Sequence, residues 1–99
     1  MAVKLIAIYR KPEDEAAVNH HYETVHTPLV KKIPGLQSLT ANRVKKHLMG
    51  DDQPYMIVEM AYADQAAFDA AMASDENRAT GKDVMTFAKG LVSLVIAED

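Results

Sequence analysis

The residues best suited to chemistry in this sequence lie in and just before the stretch ETVHTPLVKKIPG, residues 23–35. His26 is the side chain there that changes charge near neutral pH, and Tyr22 precedes it by four residues, one helical turn. A histidine can act as a general acid or base, and a tyrosine hydroxyl can donate a hydrogen bond to a reacting oxygen. Tyr9, at the end of an apolar N-terminal run, is a second candidate donor. We therefore take His26, Tyr22 and Tyr9 as candidate catalytic residues.

The local sequence around His26 predicts an interrupted helix. Pro28 lacks an amide hydrogen and would clash with the carbonyl of Thr24 in a regular helix. Thr27 could instead cap a new turn that has Pro28 at its first position. We expect the helix to break or kink at residues 26–27, with His26 at the C-terminal end of the first piece. The helix dipole would then stabilise a protonated imidazole by about 0.3–1 kcal/mol and keep its pKa near physiological pH. Spacing alone favours a simpler role, in which His26 only caps the helix.

The other histidines do not form a metal-ligand pattern. His20 and His21 are six and five residues from His26, whereas ligands on one helical face are three or four residues apart. We expect both to face solvent. The sequence also lacks an H-E-x-x-H motif, a G-x-G-x-x-G motif, a P-loop and a G-x-S-x-G motif. The expected chemistry therefore uses neither a metal nor an organic cofactor.

Composition limits the class of protein. The 99 residues are enough for one domain, and 48% of them are hydrophobic, which is typical of a folded globular chain. The net charge of −3 argues against a nucleic-acid partner. The absence of cysteine excludes a disulfide scaffold and a thiol nucleophile. No run approaches the roughly 20 apolar residues of a membrane span, so we expect a cytoplasmic protein without membrane contact.

The order of elements predicts the fold. Apolar strands are expected at residues 2–10, 55–63 and 91–97, and a more polar strand at 36–48. Helical patterns occupy the segment from Pro12 to Ile33 and the two segments that begin after Asp64 and Ser74 as N-caps. Pro12 suits the first helical position, and Gly90 a helix C-cap. The order β-α-β-β-α-β is that of a ferredoxin-like α+β fold, a four-stranded antiparallel sheet with helices on one face.

One seam of the first helix is expected to pack on the sheet. Its apolar residues are spaced by four, three, four and four: Val18, Tyr22, Val25, Leu29 and Ile33.

Three of the predicted strands are apolar on both faces. In the first strand Leu5, Ala7 and Tyr9 alternate with Ile6 and Ile8. Helices cover only one face of such a sheet, and a large exposed apolar surface is unusual in a monomer. We therefore predict a homodimer in which the sheets of two subunits meet face to face.

These motifs resemble the EthD family of the dimeric α+β barrel superfamily, and the resemblance spans essentially the whole chain as a single domain, residues 1–99. Its most specific part is an aromatic residue followed four residues later by histidine, then Pro-Leu and Pro-Gly: Tyr22, His26, Pro28-Leu29 and Pro34-Gly35. The N-terminal Y-x-K-P matches at Tyr9, Lys11 and Pro12. The family's aromatic residue is often tryptophan, where this sequence has Tyr22.

The resemblance implies a dimeric barrel with a pocket between sheet and helices, and it leaves three functions open. The first is a cofactor-free enzyme, an oxygenase, decarboxylase or isomerase acting on a small apolar or aromatic metabolite with His26 as general acid or base. The second is a non-catalytic barrel that binds such a ligand or supports a partner oxygenase, as in ether degradation. The third is a structural dimer. Haem-degrading relatives usually take their iron ligand from the second helical region, and residues 64–89 here contain no histidine.

Overall fold

The computed structural model describes all 99 residues. Four antiparallel strands form one sheet in the order β2-β3-β1-β4: β1 (Val3–Arg10), β2 (Ser38–Arg43), β3 (Pro54–Tyr62) and β4 (Val92–Glu98). The helices are α1 (Glu15–His21), α2 (Thr27–Val30), α3 (Gln65–Met72) and α4 (Asp75–Phe87), and a π-helical turn (Tyr22–His26) joins α1 to α2. This confirms the predicted ferredoxin-like α+β fold. None of these helices has the length and apolar character needed to cross a membrane.

Two of the predicted helix caps are confirmed. The side chains of Asp64 and Ser74 accept hydrogen bonds from the amides of Ala67 and Asn77, which caps α3 and α4. The start of α1 differs from the prediction, because Asp14 is the N-cap and Pro12 lies before the helix.

Two further details of the prediction are wrong, namely the length of β2 and the position of the cap at the end of α4. β2 is six residues long, and the amide of Val44 makes one further hydrogen bond, to the carbonyl of Tyr55 in β3. α4 ends at Ala88 as its C-cap, and Gly90 follows with a φ of 78° in the turn into β4. The left-handed backbone of Gly90 reverses the chain, and its carbonyl accepts a hydrogen bond from Arg10.

Of the break or kink predicted at residues 26–27, the break is wrong, because the backbone stays helical through these residues. His26 and Thr27 have right-handed helical angles, and the amide of Thr27 donates to the carbonyl of Tyr22, five residues back. A π-helical turn of this kind widens the helix by one residue. The wider turn directly before Pro28 accommodates a residue that cannot donate to the helical ladder. His26 therefore lies inside a continuous helical segment rather than at a helix terminus.

The π-helical turn changes which residues face the sheet. Tyr22 lies on the buried face as expected, but Val25 is 41% exposed. The extra residue in the turn brings His26 and Val30 onto the buried face, followed by Ile33. The predicted buried seam is thus correct as far as Tyr22. Within the turn it is displaced by one residue, so that His26 is buried in place of Val25. This displacement places an imidazole in the core.

The core lies between the sheet and the helices. One set of alternating residues from β1 and β3 faces it: Val3, Ala7, Tyr9, Met56, Val58, Met60 and Tyr62. On the opposite face of the sheet, Ile6, Ile8 and Ile57 are half-buried and the ion pair between Lys4 and Glu59 spans 3.7 Å. Helices do not cover edge strand β4, where apolar side chains are 45–62% exposed: Leu94, Val95 and Ile96.

Replacing glycine by alanine should change the free energy of unfolding in opposite directions at two positions. Gly35 lies in the turn that follows α2 and has a φ of 81°, a conformation that costs a residue with Cβ about 1–2 kcal/mol. Gly81 lies inside α4, where an added Cβ meets no atom within 4 Å. We expect Gly35→Ala to lower the free energy of unfolding by that amount and Gly81→Ala to raise it by about 0.5–1 kcal/mol. Urea unfolding measures both free energies, and a stabilised Gly35→Ala would contradict the left-handed turn described.

Candidate functional site

An apolar cavity of about 170 Å³ lies between the sheet and the helices. Twelve of its 16 lining residues are hydrophobic. The lining comes from β1, β3, β4, the π-helical turn, α2, α3 and α4, and from Ile33 after α2. The polar side chains that reach its wall are few: Tyr9, Tyr22, His26, Asn77 and Thr80. Mostly apolar walls with a few placed polar groups are the usual composition of a small-molecule site. Leu94 on the uncovered strand β4 also lines the cavity and is 59% exposed, so the cavity opens along that edge.

The structure brings the three predicted site residues together in this cavity. The rings of Tyr9 and Tyr22 meet edge to face with centroids 5.9 Å apart, and the Tyr22 ring lies 5.8 Å from that of His26. β1 supplies Tyr9 from the sheet, and the π-helical turn supplies the other two. All three residues are at least 93% buried.

His26 is hydrogen-bonded at one ring nitrogen. Its Nδ1 lies 2.9 Å from Oδ2 of Asp83 in α4. An ionised carboxylate can only accept, so Nδ1 carries the proton of this bond and the neutral ring has its lone pair on Nε2. Nε2 makes no hydrogen bond within the chain. It is not fully enclosed, because the only fully enclosed side-chain nitrogen or oxygen without a hydrogen-bond partner is the Tyr62 hydroxyl. Because His26 lines the cavity, Nε2 is the ring atom available to a ligand there.

Sequence reasoning missed Asp83 and misplaced His21. Oδ1 of Asp83 lies 2.8 Å from Nε2 of His21, so the carboxylate joins both histidines. His21 is therefore not a free solvent-facing residue, whereas His20 is exposed as predicted. No local signal singles out Asp83, which is one of 14 acidic residues and lies 57 positions from His26 in the chain. No group of three or more His, Asp or Glu side chains has an arrangement that could hold a metal.

Burial sets the protonation of the site. Desolvation lowers the pKa of His26 below its ordinary value of 6.5, and the hydrogen bond and charge of Asp83 oppose this only in part. The prediction of a pKa held near physiological pH by a helix terminus is therefore wrong in cause and direction. Burial also raises the pKa of Tyr9 and that of Tyr22, so both phenols stay neutral and can donate. The site combines a neutral imidazole with two neutral phenols.

The fold and this site define a small ferredoxin-like α+β protein with an apolar cavity and one buried His–Asp pair. The EthD domain model matches residues 10–90, and the chain belongs to the EthD family.

Two relatives match along almost the whole chain. An ethyl tert-butyl ether d (EthD) family protein of Bacillus halodurans C-125 has a solved structure with a TM-score of 0.93 and 44% sequence identity, covering 100% of this chain and 99% of that one. An uncharacterized 11.0 kDa protein from the thcB–thcC intergenic region of Rhodococcus erythropolis is 27% identical over 96 residues, covering 97% of this chain and 93% of its own.

More distant solved structures share the fold alone. A dimeric ferredoxin-like protein of unknown function from Jannaschia sp. CCS1 has a TM-score of 0.75 at 15% identity and covers 100% of both chains. SnoaB, a cofactor-independent oxygenase from Streptomyces nogalater, has a TM-score of 0.71 at 12% identity, covering 99% of this chain and 92% of that one.

The lowered pKa of His26 predicts an acid-sensitive stability. The unfolded chain protonates this histidine near pH 6.5 and the folded chain only at lower pH, so the unfolded state binds more protons between the two values. The free energy of unfolding should therefore fall as the pH drops below 6.5, and level off once the folded-state pKa is passed. In His26→Gln this contribution is absent. Chemical unfolding of both proteins from pH 7.5 to 5 measures it, and identical pH slopes would contradict a desolvated His26.

Proposed function

We propose that the chain binds a small apolar or aromatic molecule and transforms it by proton transfer, with His26 as the general base and no metal. The observation that carries this proposal is the free Nε2 of a neutral imidazole at the wall of an apolar cavity. A base must be unprotonated at the working pH and within reach of the proton it removes. Burial supports the first condition, because it lowers the pKa of His26. The bond to Asp83 supports the second, because it occupies Nδ1 and leaves Nε2 at the cavity wall.

The two phenols support a matching role for the substrate oxygen. When Nε2 takes a proton from a carbon next to a carbonyl, the electron pair moves onto the carbonyl oxygen as an enolate. Tyr9 is 2% exposed and neutral, and its hydroxyl makes no hydrogen bond within the chain, so the hydroxyl is free to donate to that oxygen. Tyr22 stands beside it. Enolisation, decarboxylation and oxygenation without a cofactor all include such a proton transfer or enolate.

The cavity limits the size of the ligand. An engineered cavity of about 150 Å³ holds one benzene ring, and this one is about 170 Å³. A single ring or a compact aliphatic group therefore fits, with any further part extending toward β4 through the open side at Leu94. SnoaB, which shares this fold, is a cofactor-independent oxygenase, and this precedent supports chemistry without an organic cofactor.

Phenylacetone provides a probe for the proposed proton transfer, since it combines one ring with an acidic CH₂ beside a ketone. We expect the protein in D₂O to accelerate exchange of these protons, measured by ¹H NMR. His26→Gln should reduce the rate about 10²-fold or more, because general-base catalysis contributes roughly 10²–10⁴-fold. Tyr9→Phe should cause a smaller loss, as one donor is removed.

Gly81→Leu serves as the matched control, because it leaves His26 intact and adds a side chain at the cavity wall. It should abolish exchange and weaken probe binding together. Binding of phenylacetone without exchange in the wild type would overturn catalysis and leave a ligand-binding or accessory protein.

We also propose that the functional unit is a homodimer formed through the sheet face. Half-buried Ile6, Ile8 and Ile57 lie on the face without helices, and Val95 of β4, which pairs with Ile6 and is 45% exposed, lies on the same face. These apolar side chains support the assembly. A dimeric protein of the same fold provides a precedent.

Sedimentation at micromolar concentration tests the homodimer. The wild type should sediment at twice the monomer mass, and Ile57→Lys should sediment as a folded monomer, because it places a charge in the apolar contact. Leu48→Lys, at the 87% exposed tip of the β2–β3 connection, is the control and should stay dimeric. A monomeric wild type would refute the assembly.

A further inference from the structure

Asp83 uses both carboxylate oxygens for the two histidines of the first helical segment. Oδ1 faces His21 at 2.8 Å and Oδ2 faces His26 at 2.9 Å. The side chain of Asp83 is only 11% exposed, that of His26 is 7% exposed and that of His21 is 29% exposed. Asp83 does not line the cavity, so it lies behind His26 as seen from a ligand.

Two further contacts hold this arrangement. The ring of Phe87 stacks on His21 with centroids 4.5 Å apart and an angle of 22° between planes, and its centroid lies 5.1 Å from that of His26. Asp83 and Phe87 are four residues apart, so they come from the same face of α4. Each imidazole is therefore fixed by a carboxylate oxygen and an aromatic surface.

We propose that Asp83 is the positioning residue for His26, holding its Nδ1–H so that Nε2 keeps its lone pair toward the cavity, and that His21 is the second anchor that fixes the carboxylate. This inference rests on the proposed role of His26 as base. It assigns a role to two residues outside the cavity. When Nε2 takes the ligand proton, the Nδ1 proton stays on His26 and the Asp83 carboxylate stabilises the imidazolium that forms.

The charges facing His26 define how the pair responds to pH. Asp83 on α4 raises the pKa of His26, and His21 on α1 lowers it. The phenols of Tyr9 on β1 and Tyr22 on the π-helical turn remain neutral. Removing the charge of Asp83 should therefore lower the pKa of His26 further, and replacing His21 by an uncharged donor should raise it.

The first experiment follows the tautomer and needs no substrate. Ring ¹⁵N NMR at pH 7.5 should show His26 with the proton on Nδ1 in the wild type. Asp83→Leu, which keeps the bulk and removes the acceptor, should populate the Nε2–H form. His21→Gln keeps a donor for Oδ1 and should leave the Nδ1–H form in place. An unchanged tautomer in folded Asp83→Leu would overturn the positioning role.

The second experiment follows the pH profile of phenylacetone exchange. Asp83→Leu should lower the plateau rate at least tenfold, by analogy with the carboxylates that support metal-bound histidines, whose loss typically costs 10–100-fold in activity. His21→Gln should retain the plateau rate. The decline of the rate at low pH, the acid limb of the profile, should move to higher pH. A purely structural clamp between α1 and α4 predicts instead a loss of stability with the tautomer and the acid limb unchanged, and that result would refute the inference.

Asp83→Asn keeps the shape of the side chain and an acceptor oxygen, so it provides a second test if Asp83→Leu does not fold. It should retain the Nδ1–H tautomer and move the acid limb to lower pH, because the carboxylate charge that raises the pKa of His26 is gone. An acid limb at the wild-type pH would contradict the inference. If the wild type shows no exchange while Asp83→Leu changes the tautomer, the proposed reaction fails and the positioning of His26 by Asp83 stands.

Discussion

The hydrogen bond between buried His26 and Asp83 is the interaction on which the rest of the site depends. An imidazole removed from water is stable only if its polar atoms find partners, and Asp83 satisfies one of the two ring nitrogens. The other nitrogen is left at the wall of an apolar cavity. Burial keeps the ring neutral, and the carboxylate fixes where its proton resides. The same contact that makes the histidine tolerable in the core also prepares it to accept a proton.

The π-helical turn provides the geometry for this contact. A regular helix would continue the apolar seam through Val25 and leave His26 beside it. The turn inserts one residue, exposes Val25 and directs His26 inward toward α4. Pro28 follows the turn and cannot donate to a regular ladder. The irregular backbone of the turn therefore determines both the core packing and the position of the reactive imidazole. This agrees with the frequent occurrence of π-helical turns at functional sites.

The sequence predicted the fold well because its signals are local and repeated. Alternating apolar residues marked the strands, and Asp64 and Ser74 marked helix starts that the structure confirms. The candidate residues Tyr9, Tyr22 and His26 also meet in one cavity. Strand alternation and helical spacing place Tyr9 and Tyr22 on the core side, and the π-helical turn brings His26 there as well. Pro28 signalled a disturbed helix, but the sequence pattern did not distinguish a break from a π-helical turn. Asp83 was beyond local reasoning, because its pairing with His26 exists only after α4 packs against the first helical segment.

The most direct test of the central claim is an NMR titration of the His26 ring, followed at Cε1, with and without phenylacetone. A neutral, desolvated base facing the cavity predicts a midpoint below 6.5 and a change in the Nε2 resonance when the probe binds. A midpoint above 6.5, or an Nε2 resonance that does not respond to bound probe, would contradict the account.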